Sequence, residues 1–456
     1  MTNQTQTTNI APGPKGAPIV GGLFEMQRKG MIEYFMENWQ QYGDIVRFPM
    51  GPIENYLLAH PDDVRYVLIE NKDNYNKGIS MAKLRLSLGE GLFASEGQLW
   101  RKQRRLMQPM FTPRAIDQFA AAMVEDIEKL LGRWAVLNLE GQPFDVSTEM
   151  MSLAMGIIAR TMFDLDIDQE AVEAGNAFTY VLEFVSQQTM RIIDLPLFIP
   201  TAANRKFKQS MQILDDFIFG IIEKRKDLPP EQQRDDLLGT LLKARDPETG
   251  EPMSLQQIRD EVVTIFFAGH ETTAQALTWT WFLLAQHPPV EQKLHQELAE
   301  VLQGRMPGLQ DVEQLVYTRM VIDEAMRLYP PIWVYARQAI ADDVIGGYHI
   351  PAGSLISLSQ FITHRHPDFW DEPEVFNPEN FAPEQEVKRH KYAYFPFGGG
   401  QRICIGNNFA LLEAVLALAA IAQQYRLHLL PGQDIQPKMV GTLRPNKPVM
   451  MTLEAR

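Results

Sequence analysis

The chain has a single cysteine, Cys404, among its 456 residues. That excludes an intrachain disulfide, and with it any zinc site or iron–sulfur cluster built from several cysteines of one chain. A lone thiol fits a reducing cytoplasm, which is the expected location. Long apolar runs are absent at the start. The opening stretch, MTNQTQTTNIAPGPKGAPIVGG, is polar and then rich in Pro and Gly, so neither a signal peptide nor a membrane anchor is expected. Positive charge is in deficit. With 43 Lys and Arg against 57 Asp and Glu, the formal charge is −14, which argues against non-specific nucleic-acid binding. No Gly/Ser-rich linker, charge block or repeat divides the chain. One domain over residues 1–456 is therefore expected, with residues 1–22 as a stiff, extended lead-in marked by Pro12, Pro14 and Pro18.

What is present is an ordinary globular composition, 45% hydrophobic and 22% charged, in a chain long enough to enclose a sizeable cofactor. Met31, Tyr34, Phe35 and Trp39 have helical spacing and predict a helix over 31–42. Runs at 45–48 and 56–59 read as strands around a Gly51-Pro52 turn. Residues from His60 open a helix through Leu68. Amphipathic helical patterns dominate from residue 96 to about 330, with breaks at 196–200, 229–230, 247–252 and 288–289. Strand signals return over 333–360, and a last helix runs from about 405 to 425. The fold class is thus mainly α, with a small β-rich region drawn from both ends of the sequence.

The strongest local signal is FGGGQRICIG, from Phe397 to Gly406. Consecutive glycines let the backbone turn tightly and approach a flat partner closely. The only cysteine follows them and precedes a helical run. A helix N-terminus, together with Arg402 two residues earlier, favours the metal-binding thiolate. A lone cysteine is ordinarily a small buried hydrophobe; the Phe, Gly, Arg and Gly at fixed offsets reverse that judgement.

The second signal is AGHETT, Ala268 to Thr273, inside a helical pattern over 255–286. Gly269 weakens the helix, and the Thr272 hydroxyl can bond back to the carbonyl of Ala268. Together they are expected to open the hydrogen-bond ladder into a kink or bulge. Glu271 beside a hydroxyl offers a proton route; an exposed Glu next to a back-bonded Thr is the bland alternative. His270 reads as a structural histidine. Two shorter signals follow. Glu324 and Arg327, at i and i+3, share a helix face and can pair. Trp100 and Arg104, at i and i+4, do the same on a basic helix carrying Arg101, Lys102 and Arg105. Alone, either pair is no more than a surface feature.

Taken together, and in this order along nearly the whole chain, these motifs resemble the cytochromes P450, haem-thiolate monooxygenases of mainly α fold. The resemblance implies haem b, with Cys404 as the proximal iron ligand and Phe397, Gly398, Gly400, Arg402 and Gly406 in its loop. It puts Ala268 over the haem and gives Glu271 and Thr272 the delivery of protons during O₂ activation. It assigns Trp100, Arg104, Arg337 and Arg402 to the haem propionates. Glu324 and Arg327 become a buried structural network under the haem. The family's usual third member is an arginine where this chain has Asn380, which can hydrogen-bond but cannot form a charged fork. By position, Phe267, Ala268, Ile332, Trp333, Val334 and Leu443 are expected to line a substrate pocket, with further residues from 80–88 and 178–184.

The implied reaction inserts one oxygen of O₂ into a small apolar substrate such as a fatty acid, terpenoid or steroid. NAD(P)H would act indirectly, through a ferredoxin or flavodoxin with its reductase, since no fused flavin reductase is expected. The organisation looks closer to the fatty-acid-hydroxylase and microsomal branch, as a monomer. A peroxide-driven enzyme and a non-catalytic haem sensor or carrier are the alternatives; the Glu271-Thr272 pair favours the O₂-dependent monooxygenase.

Overall fold

Apolar groups recurring every three to four residues produce the longest helix, Leu255–Leu284, begun by Ser254, whose hydroxyl accepts from the backbone N–H of Gln257. Nearly every residue of this helix from Ile258 onward is buried, because other helices surround it. It packs on helices Val146–Phe163, Ala202–Lys226, Val316–Leu328 and Asn407–Gln424. The computed structural model describes residues 9–17, 21–165, 169–189, 196–229, 232, 234, 236–245 and 250–456. The start of the lead-in, Pro18, Pro230 and Pro247 lie outside them. Among the described residues no helix is long and apolar enough to cross a membrane.

The predicted helix over 31–42 is Met31–Tyr42. The two strands after it, Ile45–Met50 and Ile53–Leu58, pair antiparallel about the turn at Gly51. They reach further than expected because pairing continues into the turn, from Ile45↔Leu58 to Met50↔Ile53. The helix expected through Leu68 is Pro61–Arg65, and a wider π-helical turn, Tyr66–Glu70, carries it on. The second strand runs parallel to Leu355–Leu358, which pairs antiparallel with Tyr335–Ala339. Both ends of the sequence therefore meet in one five-stranded sheet. A separate hairpin, Pro437–Val440 with Thr442–Pro445, packs against the helices.

The expected opening of the long helix at Gly269 does not occur; it is continuous from Leu255 to Leu284. Gly269 has a packing reason instead. A Cβ there would lie 2.8 Å from Cδ1 of Ile158, so glycine allows helix Val146–Phe163 to approach closely. Further along, Trp279 is fully buried, stacks on Tyr329 at 4.0 Å between ring centroids, and donates its Nε1–H to the carbonyl of Leu443 at 2.9 Å. Replacing Trp279 with Ala should empty this site and orphan that carbonyl. The expected loss is about 3–5 kcal/mol, read as a lower urea midpoint by circular dichroism; an unchanged midpoint would mean that the helix and hairpin are not joined here.

Candidate functional site

The loop before Cys404 is shaped by its glycines. Gly398 and Gly400 have φ of +73° and +67°, in the left-handed region that L side chains rarely adopt. A Cβ on Gly400 would also collide with the Leu68 carbonyl oxygen. The Cys404 N–H closes the loop on the Phe397 carbonyl at 3.0 Å. Three residues later the helix Asn407–Gln424 begins. Protein surrounds Cys404, and that burial pushes its thiol pKa up; a hydrogen bond from the Gly406 backbone and the charge of Arg104 pull the other way. The residue is nevertheless exposed, because it opens onto an apolar slot. Ala268, Thr272, Ile332, Tyr335, Phe397 and Phe409 are among the slot's lining residues.

The long helix forms the facing wall. Ala268 is exposed there, on a helix otherwise buried on almost every side. Thr272 lines the slot and donates its hydroxyl to the Ala268 carbonyl at 2.8 Å. Glu271 points elsewhere. It is 2% exposed, and its Oε1 accepts from Thr442 Oγ1 and from Arg444 Nε, each at 2.7 Å. Among the described residues its buried Oε2 has no hydrogen-bond partner. His270 is buried with Nδ1 3.0 Å from the Phe266 carbonyl, and burial lowers its pKa.

Beside the slot, cations crowd around one carboxylate. The Arg402 guanidinium lies 3.7 Å above the Trp100 ring and pairs with Glu96. Arg337 lies 6.0 Å from the centre of the Tyr335 ring, donates to the Ala336 carbonyl, and feels the charge of Glu96. The Lys77 backbone N–H donates to Glu96 at 2.7 Å, and its ammonium reaches the carbonyls of Leu92, Phe93 and Ser95. Burial, then the charge of Arg402, lowers the Lys77 pKa to about 7. Concentrated positive charge with little water calls for further anions. A flat apolar macrocycle bearing carboxylates at its edge matches this combination of sulfur, hydrocarbon slot and cationic corner, so the residues present fit a haem. Arg104, whose charge is felt by Cys404, donates its Nη1 to the Ile403 carbonyl at 2.8 Å.

Glu324 and Arg327 are fully buried and doubly bonded, Nε to Oε2 at 2.7 Å and Nη2 to Oε1 at 2.8 Å. Arg327 also donates to the carbonyls of His364, Pro373 and Val375. Asn380 Nδ2 donates to Glu324 at 3.1 Å. A second guanidinium still reaches this network, from Arg389. It donates to the Asn380 carbonyl and lies 4.6 Å from the Trp370 ring centre, while Arg327 lies 4.8 Å from the same ring.

Of the six residues expected at the substrate wall, Ala268 and Ile332 line the slot. Phe267 is buried and stacked on Phe178 at 3.4 Å between centroids. Trp333 and Leu443 sit in a separate core with Phe35 and Phe48, and Val334 packs against it. Ile332 thus faces the slot, while its neighbours Trp333 and Val334 face that core. Lys77, Glu96, Arg389, Thr442 and Arg444 were not anticipated. Each is an ordinary polar residue, and no local pattern marks it.

The Cytochrome P450 family model matches residues 11–453. Cyclooctatin synthase of Streptomyces melanosporofaciens is 38% identical over 430 residues, covering 94% of this chain and 92% of that protein. Pentalenene oxygenase of Streptomyces avermitilis is 33% identical, covering 100% of this chain and 99% of that one. Among solved structures, the haem domain of cytochrome P450DA superposes with a TM-score of 0.89 at 28% identity, covering 98% of each chain.

Arg327→Ala would leave Glu324 buried without its cation. The expected cost is about 3–5 kcal/mol, seen as a lower melting temperature and a haem content well below one per chain. Full haem content with unchanged melting would refute this.

Proposed function

Since the chain belongs to the cytochrome P450 family of monooxygenases, we propose that Cys404 ligates the haem iron and that the protein inserts one oxygen atom of O₂ into an apolar terpenoid. The observation that carries this reading is the apolar slot with the lone cysteine on one wall and the Thr272 hydroxyl on the other. When bound, the haem supplies the O₂-dependent oxidation chemistry. The chain's own residues hold, shield and feed it with protons. The Cys404 sulfur would ligate the iron. Arg337, Arg402 and Trp100 would hold the propionates, with Lys77 beside them. Ala268 would leave room in the slot for the group and its substrate, and the Thr272 hydroxyl holds a proton at the slot wall. Glu271, one position earlier, is the acid that renews it. Hydrocarbon lining excludes water and orients an apolar molecule.

The terpenoid assignment draws on relatives whose names specify pentalenene oxygenation and cyclooctat-9-en-7-ol 5-monooxygenation, and on the apolar slot. Electrons come from NAD(P)H through a separate ferredoxin or flavodoxin. On a chain of charge −14, the exposed Arg101, Lys102 and Arg105 steer an acidic donor.

The direct test is turnover with O₂, NADPH and surrogate ferredoxin and reductase, using pentalenene, testosterone and lauric acid as a panel. Oxygenated pentalenene as the main product supports the reading. A preference for lauric acid or testosterone would overturn the terpenoid assignment. Turnover with hydrogen peroxide alone, or none under any condition, would overturn the O₂-dependent enzyme.

Two variants probe the roles. Cys404→Ser should lose the red-shifted Soret band of the reduced carbonyl complex together with activity, and an unchanged spectrum would remove Cys404 as ligand. Thr272→Ala should keep that spectrum while product per NADPH falls and hydrogen peroxide rises. The expected rate loss is at most about 10²–10⁴-fold, the scale of one positioned proton donor. A peroxide-to-product ratio equal to that of the unmodified protein would strip Thr272 of the role.

A further inference from the structure

Positions three and four apart share one face of a helix, so Glu261, Thr264, Ala268 and Thr272 form a single stripe along the long helix. Ala268 and Thr272 line the slot, whose lining on this helix begins at Ile265, next to Thr264. Thr264 and Glu261 therefore continue that wall, and they are polar. Both are buried, Glu261 at 0% and Thr264 at 4% exposure. Among the described residues, the Thr264 hydroxyl and Oε1 of Glu261 have no hydrogen-bond partner. By contrast, Thr272, Thr278 and Thr280 of the same helix each donate to the carbonyl four residues earlier.

Backbone closes the other side of the pair. Oε2 of Glu261 accepts from the Leu92 N–H at 2.9 Å. A Cβ on Gly91 would lie 2.2 Å from the Thr264 hydroxyl oxygen, so glycine lets the chain lie directly on it. Burial, opposed by the Leu92 N–H and the charge of Lys77 and helped by that of Asp260, raises the Glu261 carboxyl to about 8. At neutral pH the group is mostly the neutral acid. With Oε2 taken by an N–H, its proton sits on Oε1 as a donor without an acceptor. Buried polar atoms of this kind are normally satisfied by water or by a ligand group.

We infer that Glu261 and Thr264 form a hydroxyl-binding subsite at the end of the slot, and that within the terpenoid class proposed above, on which this rests, the substrate is an alcohol. A hydroxyl uses both atoms: its oxygen accepts from Glu261, and its proton goes to the Thr264 oxygen. A bare hydrocarbon leaves both unpaired. A carboxylate is repelled by the charge of Asp260, which Glu261 also feels. Thr264 precedes Ala268 by four residues, about 6 Å along the axis. The subsite thus holds the hydroxyl away from the reacting carbon and directs the new oxygen to a distant part of the skeleton.

The test is spectral titration of the holoprotein with matched pairs, cedrol against cedrene and abietadienol against abietadiene. It compares the unmodified protein with Thr264→Val, Glu261→Leu and Glu261→Gln. In the unmodified protein each alcohol should bind about tenfold more tightly than its hydrocarbon, the scale of one hydrogen bond that also relieves an unpaired buried group. Thr264→Val and Glu261→Leu should each bring that ratio to about one. Glu261→Gln should keep it, since an amide accepts from Leu92 and donates to the ligand as the neutral acid does. A ratio near one in the unmodified protein overturns the subsite alone and leaves the terpenoid reading standing. So does a tenfold ratio that survives Thr264→Val and Glu261→Leu, or one lost in Glu261→Gln. Should Glu261→Leu fail to fold, the near-isosteric Thr264→Val decides by the same criterion. If no terpenoid of either kind binds while testosterone or lauric acid does, the terpenoid reading fails and the subsite with it.

Discussion

Burial drives the Cys404 thiol toward its neutral form, whereas metal ligation requires the thiolate. That opposition organises the centre of the molecule. The Gly406 backbone and Arg104 favour the thiolate, and a cation across the slot would complete the balance. For the sulfur to reach a cation at all, the loop must turn where only glycine turns easily, at Gly398 and Gly400. The long helix must also stay back, and Ala268 leaves the space. Tight packing elsewhere keeps this gap open: Gly269 against Ile158 and Trp279 against Tyr329 hold the helix in position.

Around this centre, buried carboxylates recur with guanidinium partners. Glu324 with Arg327, Glu271 with Arg444 and Asp236 with Arg225 are each enclosed and hydrogen-bonded. Such pairs add little net stability over hydrocarbon of the same shape, but losing one partner is costly. Their effect is to fix geometry. Arg327 joins its helix to the carbonyls of His364, Pro373 and Val375. Asn380 alone would leave this network short of charge. Arg389, stacked on the Trp370 ring that Arg327 also approaches, returns a guanidinium to it from nine positions further along the chain.

One turn of the long helix serves three partners. Ala268 and Thr272 face the slot, Gly269 meets Ile158, and Glu271 meets the hairpin. A monooxygenase has to keep water out while admitting protons. In the proposed arrangement these tasks fall to different faces of that turn. The hydrocarbon wall excludes water, and the acid stands behind it in contact with the hairpin.

The sequence by itself determined the family, the mainly α class and the helix over 31–42, because these rest on local residue chemistry and spacing. It marked Glu324 with Arg327 as a pair, since i and i+3 share a face wherever the helix lies. It did not determine the continuity of the long helix at Gly269, whose explanation is a contact with Ile158 more than a hundred positions earlier. Nor did it reveal that Trp333 and Leu443 join the Phe35 core, or that Glu271 is held by Thr442 and Arg444. Only the tertiary structure decided these. A local pattern fixes which way a side chain points relative to its own helix or strand, but what it meets there is supplied by segments distant in the chain, whose packing no short-range periodicity encodes.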